Sequence, residues 1–325
     1  MIHRIRVGLL IVAAGMLALH GLPVDAAFAQ RPQTAPAEIR LGEEHTEQYR
    51  VGMVITAKSG PCREITGSIP FPVDWPEQHV KVVSEDISAS VREVAYRDLG
   101  TTVLQMFVHI PYLAAGEEAH AIVTLEVTRK RLLPPADTSS LVIPEKLDKA
   151  TRVFLGASPG IEIKQAKIKA VAKETLKQHA DAPAWQQVEA LYDWVRSNVT
   201  YKAGKFKGAA AALKTKIGDC EDMTALFVAL CRNIDVPART VWVPGHCYPE
   251  FYLEDASGQG HWFPCQIAGE RAFGEMPDSR PILQKGDNFQ VPERSDRQRF
   301  VAEHLTGAGG KPSVKFVRES ALVGG

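Results

Sequence analysis

The sequence predicts an α+β chain of two domains: an all-β domain of the sandwich type, then a mixed domain of helices followed by antiparallel strands. Two observations carry this. Short β-rich runs separated by turn signals fill the stretch from about Glu47 to Arg129. Beyond the Pro-containing, irregular stretch Arg131 to Pro144, the apolar residues change to helical spacing.

In the sandwich-like domain the β-rich runs are Val51 to Thr56, Lys81 to Val83, Val91 to Tyr96, Thr102 to Ile110 and Ala121 to Thr128. Alternation is cleanest in the last, where Ala121, Val123, Leu125 and Val127 share one face. Turns are signalled at Ser59-Gly60-Pro61, Asp98 to Gly100 and Ala115 to Glu117. In the mixed domain, Ile168, Val171, Ala172, Thr175 and Leu176 mark a first helix. Trp185, Val188, Leu191, Tyr192 and Val195 mark a second, ending near Asn198. A short Ala-rich piece runs from Ala209 to Leu213. A third long helix begins at Asp219, a good N-cap, with Glu221 and Asp222 in its first turn. Its stripe of Met223, Leu226, Phe227, Leu230, Cys231 and Ile234 predicts burial along one face, and Pro237 stops it. Strands follow at Arg239 to Pro244, His246 to Glu254 and His261 to Ile267. The resulting layout is a leader over 1–29, a sandwich-like domain over 30–130, a linker over 131–150, the mixed domain over 151–277 and a polar C-terminal extension over 278–325.

Bulk properties narrow the function classes. The 325 residues carry 38 Lys and Arg against 38 Asp and Glu. No net charge draws the chain to nucleic acid or to a lipid surface, so a nucleic-acid partner is not expected. Arg4 and Arg6 precede an apolar core, Val7 to Leu19, and Ala27-Phe28-Ala29 follows. This is the pattern of a cleaved export signal; an uncleaved anchor is the alternative. No later apolar run is long enough to span a bilayer, so no membrane span is expected after cleavage after Ala29. Five cysteines (Cys62, Cys220, Cys231, Cys247 and Cys265) leave at least one thiol unpaired within a monomer.

The chemistry concentrates on Cys220. In the first turn of a buried helix, free backbone N–H groups favour a thiolate and can hold an oxyanion, although Asp219, Glu221 and Asp222 oppose the thiolate. An imidazole is therefore needed, and His246, opening a strand just after Pro244-Gly245, is the candidate base. Gln266 on the next strand can orient that imidazole through its amide oxygen, but brings no charge. Cys231 reads as core filler. Strand alternation turns Cys247 and Cys265 away from the site residues beside them, as core thiols or as a cross-strand disulfide. The same alternation argues against a zinc site, since adjacent His246 and Cys247 cannot converge on one ion. No cofactor is expected. His261 reads as a turn-flanking surface residue. Glu250 and Arg239 form an ion pair or are solvated.

Gly218-Asp-Cys-Glu-Asp-Met-Thr-Ala-Leu-Phe through Val236-Pro-Ala-Arg239 resembles the cysteine motif of the transglutaminase-like superfamily. His246-Cys-Tyr-Pro-Glu250 is similar to its histidine motif, and Trp262-Phe-Pro-Cys-Gln266 to its third motif, which normally ends in Asp. Trp194 to Tyr201 fits the preceding helix, so the resemblance spans about 150–270. It implies a papain-like transglutaminase core, here preceded by an all-β sandwich-like domain, as in bacterial members. It also implies a Cys–His–Asp triad acting on amides, with Cys220, His246 and Gln266 in those places and a protein or peptide as substrate. Gln266 departs from the pattern, because the imidazolium loses its anionic partner. Two function classes follow: a cysteine acyl-transfer enzyme (protease, amidase, deamidase or transglutaminase), or a binding or scaffold module that keeps the fold without turnover.

The leader generates a direct test. N-terminal sequencing of the mature protein is expected to begin at Gln30; a cytoplasmic pool retaining Met1 would contradict export.

Overall fold

The computed structural model describes residues 40–100 and 102–322; the expected leader and its cleavage site lie outside them. Six strands open the chain: β1 (Arg40–Thr56), β2 (Cys62–Phe71), β3 (Gln78–Ile87), β4 (Glu93–Asp98), β5 (Leu104–Leu113) and β6 (Glu118–Leu133). β1 and β6 pair antiparallel along most of their length, with Tyr49 opposite Leu125, Val51 opposite Val123 and Met53 opposite Ala121. All six of these side chains are fully buried, as the alternation in β6 predicts. β2, β4 and β5 form a second sheet, and Ile65, Ile69, Met106, Val108 and Ile110 from it join the same core. A Cβ on Gly67 of β2 would collide with Met53 Sδ, so the sheets close over each other there because that position carries no side chain.

The mixed domain follows. α1 (Lys149–Arg152) and a 3₁₀ turn lead to α2 (Ala166–Lys177) and α3 (Ala184–Asn198). Next come β7 (Thr200–Tyr201), α4 (Ala209–Thr215), β8 (Ile217–Gly218) and α5 (Cys220–Arg232). The strands are β9 (Ala238–Val243), β10 (His246–Glu254), β11 (Gly260–Gln266), β12 (Ala272–Phe273) and β13 (Gln284–Lys285), in the order β12-β11-β10-β9-β13. α5 is buried from Asp222 to Arg232 rather than along one face, because α3 and α4 pack on it from one side and β9 and β10 from the other. Trp185 of α3 meets Phe251, Phe263 and Phe273 edge-on, with ring centroids 4.9–5.5 Å apart, which seats the helices on the sheet. No described helix is long and apolar enough to cross a membrane.

The polar tail adds strands to the core sheet and to both sandwich sheets. β13 pairs with β9. β14 (His304–Gly309) then pairs with β2, and β15 (Ser313–Leu322) with β1, from Thr56 opposite Ser313 to Glu47 opposite Leu322. Each sandwich sheet thus takes an outer strand from the end of the chain. Ser313 to Leu322 contains no apolar run, which is why its strand character is hard to read beforehand.

The described residues form one compact unit, and a chain of buried charges ties its strand-rich N-terminal part to the core sheet. Glu77, in the loop before β3, accepts from Lys285 Nζ at 2.6 Å and lies 3.7 Å from Arg129. Lys285 also donates to Glu250 at 2.7 Å, and Arg239 pairs with Glu250 at 2.8 Å. Glu250 and Arg239 are therefore a buried pair, not solvated. Burial raises the Glu250 carboxyl, but Lys285 and Arg239 outweigh it and hold it below the usual carboxylate range. The Arg232 side chain on α5 is wholly buried and its Nη2 meets both oxygens of Asp287, from the C-terminal extension, at 2.9 Å.

Asp287→Ala is expected to destabilise the protein by about 3–5 kcal/mol, because it strands the Arg232 guanidinium without its counter-charge. Urea unfolding checks this; a change below about 1 kcal/mol would contradict the role given to the pair.

Candidate active site

The start of α5 is held by a reciprocal cap. The Asp219 carboxylate accepts from the Asp222 N–H at 3.0 Å, and Asp222 accepts from the Asp219 N–H at 3.4 Å. Asp222 is fully buried and also accepts from the N–H groups of Lys207 and Gly208, at 2.7 and 2.9 Å. A Cβ on Gly218 would lie 2.7 Å from Asp222 Cβ, so only glycine lets the chain approach this closely. These contacts fix Cys220 as the first residue of the helix, half-buried, with its own N–H free of any intrahelical acceptor.

His246 opens β10 after a tight turn in which Gly245 takes φ 71°, and it pairs with Val243 across the hairpin. Gln266 ends β11. The structure brings all three predicted residues together. His246 Nε2–H donates to Gln266 Oε1 at 3.0 Å, which leaves Nδ1 as the ring nitrogen available to Cys220. Gln266 is itself anchored: its backbone carbonyl accepts from Tyr192 Oη at 2.8 Å and from Arg196 Nη1 at 3.1 Å. Tyr192 was legible as a helix-stripe residue, but nothing in the sequence tied it to Gln266.

The electrostatics favour the ion pair. Hydrogen bonds from the Cys247 thiol, and then from His246, outweigh burial and draw the Cys220 thiol down to about 4. Burial disfavours the His246 imidazolium, but its hydrogen bonds to Cys220 and Gln266 more than compensate and raise it above the ordinary imidazole value. Glu221, next to the thiol, is pushed up to about 7, by burial first, with Asp219, Cys220 and Asp222 adding and Arg299 opposing.

Cys247 requires a correction. Alternation does turn it inward, onto α5, where its Sγ lies 3.9 Å from Thr224 Oγ1. Thr224 is one turn after Cys220 on the same helix face, so facing α5 places Cys247 beside the site thiol instead of away from it. The Cys247–Cys265 bridge is not formed, and all five cysteines are free thiols. Glu250 pairs with Pro264, which sets Cys265 level with Pro249, not Cys247. Cys265 and Cys231 are core residues whose thiols burial raises. His261 flanks the turn but is not a surface residue: Asp255 holds its Nε2 at 2.8 Å and its side chain is 12% exposed.

Cys220 and His246 face a cleft of about 480 Å³. Trp242, Val243 and Pro244 form one wall, and Leu283, Arg299, Phe300 and Arg318 form another. Phe300 packs on Trp242 at 4.9 Å, and Arg299 pairs with Glu221. This second wall comes entirely from the C-terminal extension, which carries no recognisable motif.

Comparison with known proteins agrees with this geometry. Residues 169–267 match the transglutaminase-like superfamily. A solved candidate cysteine protease from Cytophaga hutchinsonii superposes with a TM-score of 0.56 over 86% of this chain and 93% of its own, at 16% identity, a likeness of fold. A candidate protease from Parabacteroides distasonis, 10% identical over 74% of this chain and 72% of its own, gives a TM-score of 0.25, too low for argument. No curated protein matches the sequence.

The lowered thiol generates a labelling profile. Iodoacetamide is expected to alkylate Cys220 with little loss of rate down to about pH 5, the rate falling only as the pH nears the thiol's value of about 4. The buried thiols should stay unlabelled in the folded chain. A Cys220 rate that disappears below pH 8, as for an ordinary thiol, would contradict the ion pair.

Proposed function

Because residues 169–267 form a transglutaminase-like core, we propose that the chain is a cysteine acyl-transfer enzyme acting on amide or peptide bonds through Cys220, His246 and Gln266. The observation that carries the reading is that the half-buried Cys220 shares one cleft with His246, whose ring Gln266 orients at 3.0 Å; the lowered thiol, about 4, agrees with it.

In this reading the Cys220 thiolate attacks the carbonyl carbon of the amide. The Cys220 N–H, at the positive end of α5, is placed to donate to the oxyanion that forms. His246 Nδ1–H then protonates the departing amine, the C–N bond breaks, and a thioester remains on Cys220. The neutral imidazole next takes a proton from the acceptor, water or an amine, whose attack breaks the C–S bond and releases the Cys220 thiolate, restoring the ion pair. Gln266 holds the ring with Nε2 protonated through both half-reactions, so Nδ1 is the nitrogen that exchanges protons. It supports the imidazolium only with an amide dipole, and the thiolate supplies the counter-charge instead.

Cys220→Ala is expected to abolish turnover of peptide amides, and with it the thioester adduct on the intact protein seen by mass spectrometry. Gln266→Ala should lower kcat/KM by about 10-fold, the scale of one orienting hydrogen bond. Gln266→Asp should preserve or raise activity and move the alkaline limb of the pH profile upward, since a carboxylate stabilises the imidazolium. If Cys220→Ala leaves the biological activity intact, the enzyme reading fails and a binding role replaces it.

A further inference from the structure

The cleft wall supplied by the C-terminal extension has a chemical character of its own. Arg299 and Arg318 both line it, and Glu221 is the sole acid among its described lining residues. Arg299 is engaged on three sides: it pairs with Glu221, lies over the Phe206 ring at 4.2 Å and lies 5.6 Å from the Trp242 ring. Arg318 is held differently. It projects from β15, where it stands opposite Val51, and its side chain is 48% exposed. Glu303 Oε1 forms an ion pair with Nη1 at 2.5 Å; Glu303 is only 15% exposed and does not line the cleft. Among the described residues Arg318 Nε and Nη2 make no hydrogen bond, so one edge of the planar guanidinium is anchored while its remaining donors stay open.

We propose that Arg318 reads a carboxylate on the acyl donor, so that the preferred substrates are acidic peptides with a carboxylate close to the scissile amide. The proposal rests on the Cys220–His246 reading and names its substrate class. A guanidinium fork matches a carboxylate in two parallel hydrogen bonds, and a fork pre-positioned by Glu303 loses little side-chain freedom on binding. The apolar Trp242–Phe300 ring pair, which lines the same cleft from both sides, lowers the local dielectric and strengthens that pairing. Glu221 opposes it weakly, because its carboxyl is only partly ionised at neutral pH and Arg299 already occupies it. The site reaches the sandwich through β15, so the return of the tail to β1 does more than close a sheet: it brings a specificity-determining residue to a cleft whose nucleophile lies about 100 residues earlier in the chain.

The test needs no knowledge of the natural substrate. Cys220 of the full chain is alkylated at pH 6 and low salt with iodoacetate, which carries a carboxylate, and with iodoacetamide, its neutral counterpart. The quantity read is the ratio of the two rates. Arg318→Gln is expected to lower that ratio by ~5–10-fold with the iodoacetamide rate unchanged, the scale of one charge-assisted contact. Arg318→Lys should keep most of the ratio, and salt should erode it in the wild type. A fast iodoacetamide reaction with an unchanged ratio in Arg318→Gln overturns the subsite and leaves the Cys–His reading standing. Equal losses of both rates in that variant also overturn it, since Arg318 would then support the shape of the cleft and not recognise a charge. Slow iodoacetamide alkylation of the wild type overturns the nucleophile reading itself, and the subsite with it.

Discussion

Asp222 has no contact with solvent, and three backbone N–H groups converge on its carboxylate, from Lys207, Gly208 and Asp219. A buried anion of this kind is tolerable only with its donors in place. Each donor therefore fixes a piece of chain: the loop before α4, the N-cap of α5 and, through the close approach at Gly218, the short β8 strand. Cys220 is the residue left at the intersection. It is held at the cleft because Asp219 before it is committed to this carboxylate and Glu221 after it is held by Arg299. The all-round burial of α5 then makes the position rigid, since no face of the helix is free to rotate.

The thiol is activated by more than the helix. Three acids surround it in sequence, and alone they would raise its pKa and work against the dipole. The inward-facing Cys247 and the imidazole of His246 reverse the balance by donating hydrogen bonds to the sulfur. Gln266 in place of an acid is consistent with this arrangement. Where the thiolate is stabilised directly and the imidazolium sits beside it, the pair is neutral as a unit, and a third charge is less needed than it is for a serine hydroxyl. What Gln266 must still do is hold the ring, and its backbone is clamped by Tyr192 and Arg196 for that purpose.

The tail ties the sandwich strands to the core sheet. Lys285, just inside the extension, is the link between Glu77 of the sandwich and Glu250 of the core sheet, and it bonds both at 2.7 Å or less. The strands that follow close the outer edge of each sandwich sheet and place Arg318 at the cleft. Sandwich, core and cleft wall are thus mutually dependent, although they are separate in the sequence.

The α+β class, the helices α2, α3 and α5, the hairpins of the core sheet and the trio Cys220, His246 and Gln266 were all legible in the sequence. Each rests on a local signal: periodicity, a cap, a stop or a motif, and such signals survive because neighbouring residues fold them. β2 was not legible, because Gly67 and Pro70 interrupt its alternation and the strand makes sense only against Met53 of the facing sheet. The strands β14 and β15 were hidden for the same reason, since their partners β2 and β1 lie more than 200 residues away. The position of Cys247 shows the limit most plainly. Alternation correctly turned it to the inner face, but which helix waits there, and that its first turn ends beside the strand's beginning, is decided by how α5 crosses the sheet. The sequence by itself determined the candidate chemistry, because that chemistry needs particular residue types at the ends of particular local elements. Tertiary structure alone decided the electrostatics of the thiol and the walls of its cleft, because these arise from groups far apart in the chain that meet when it closes on itself.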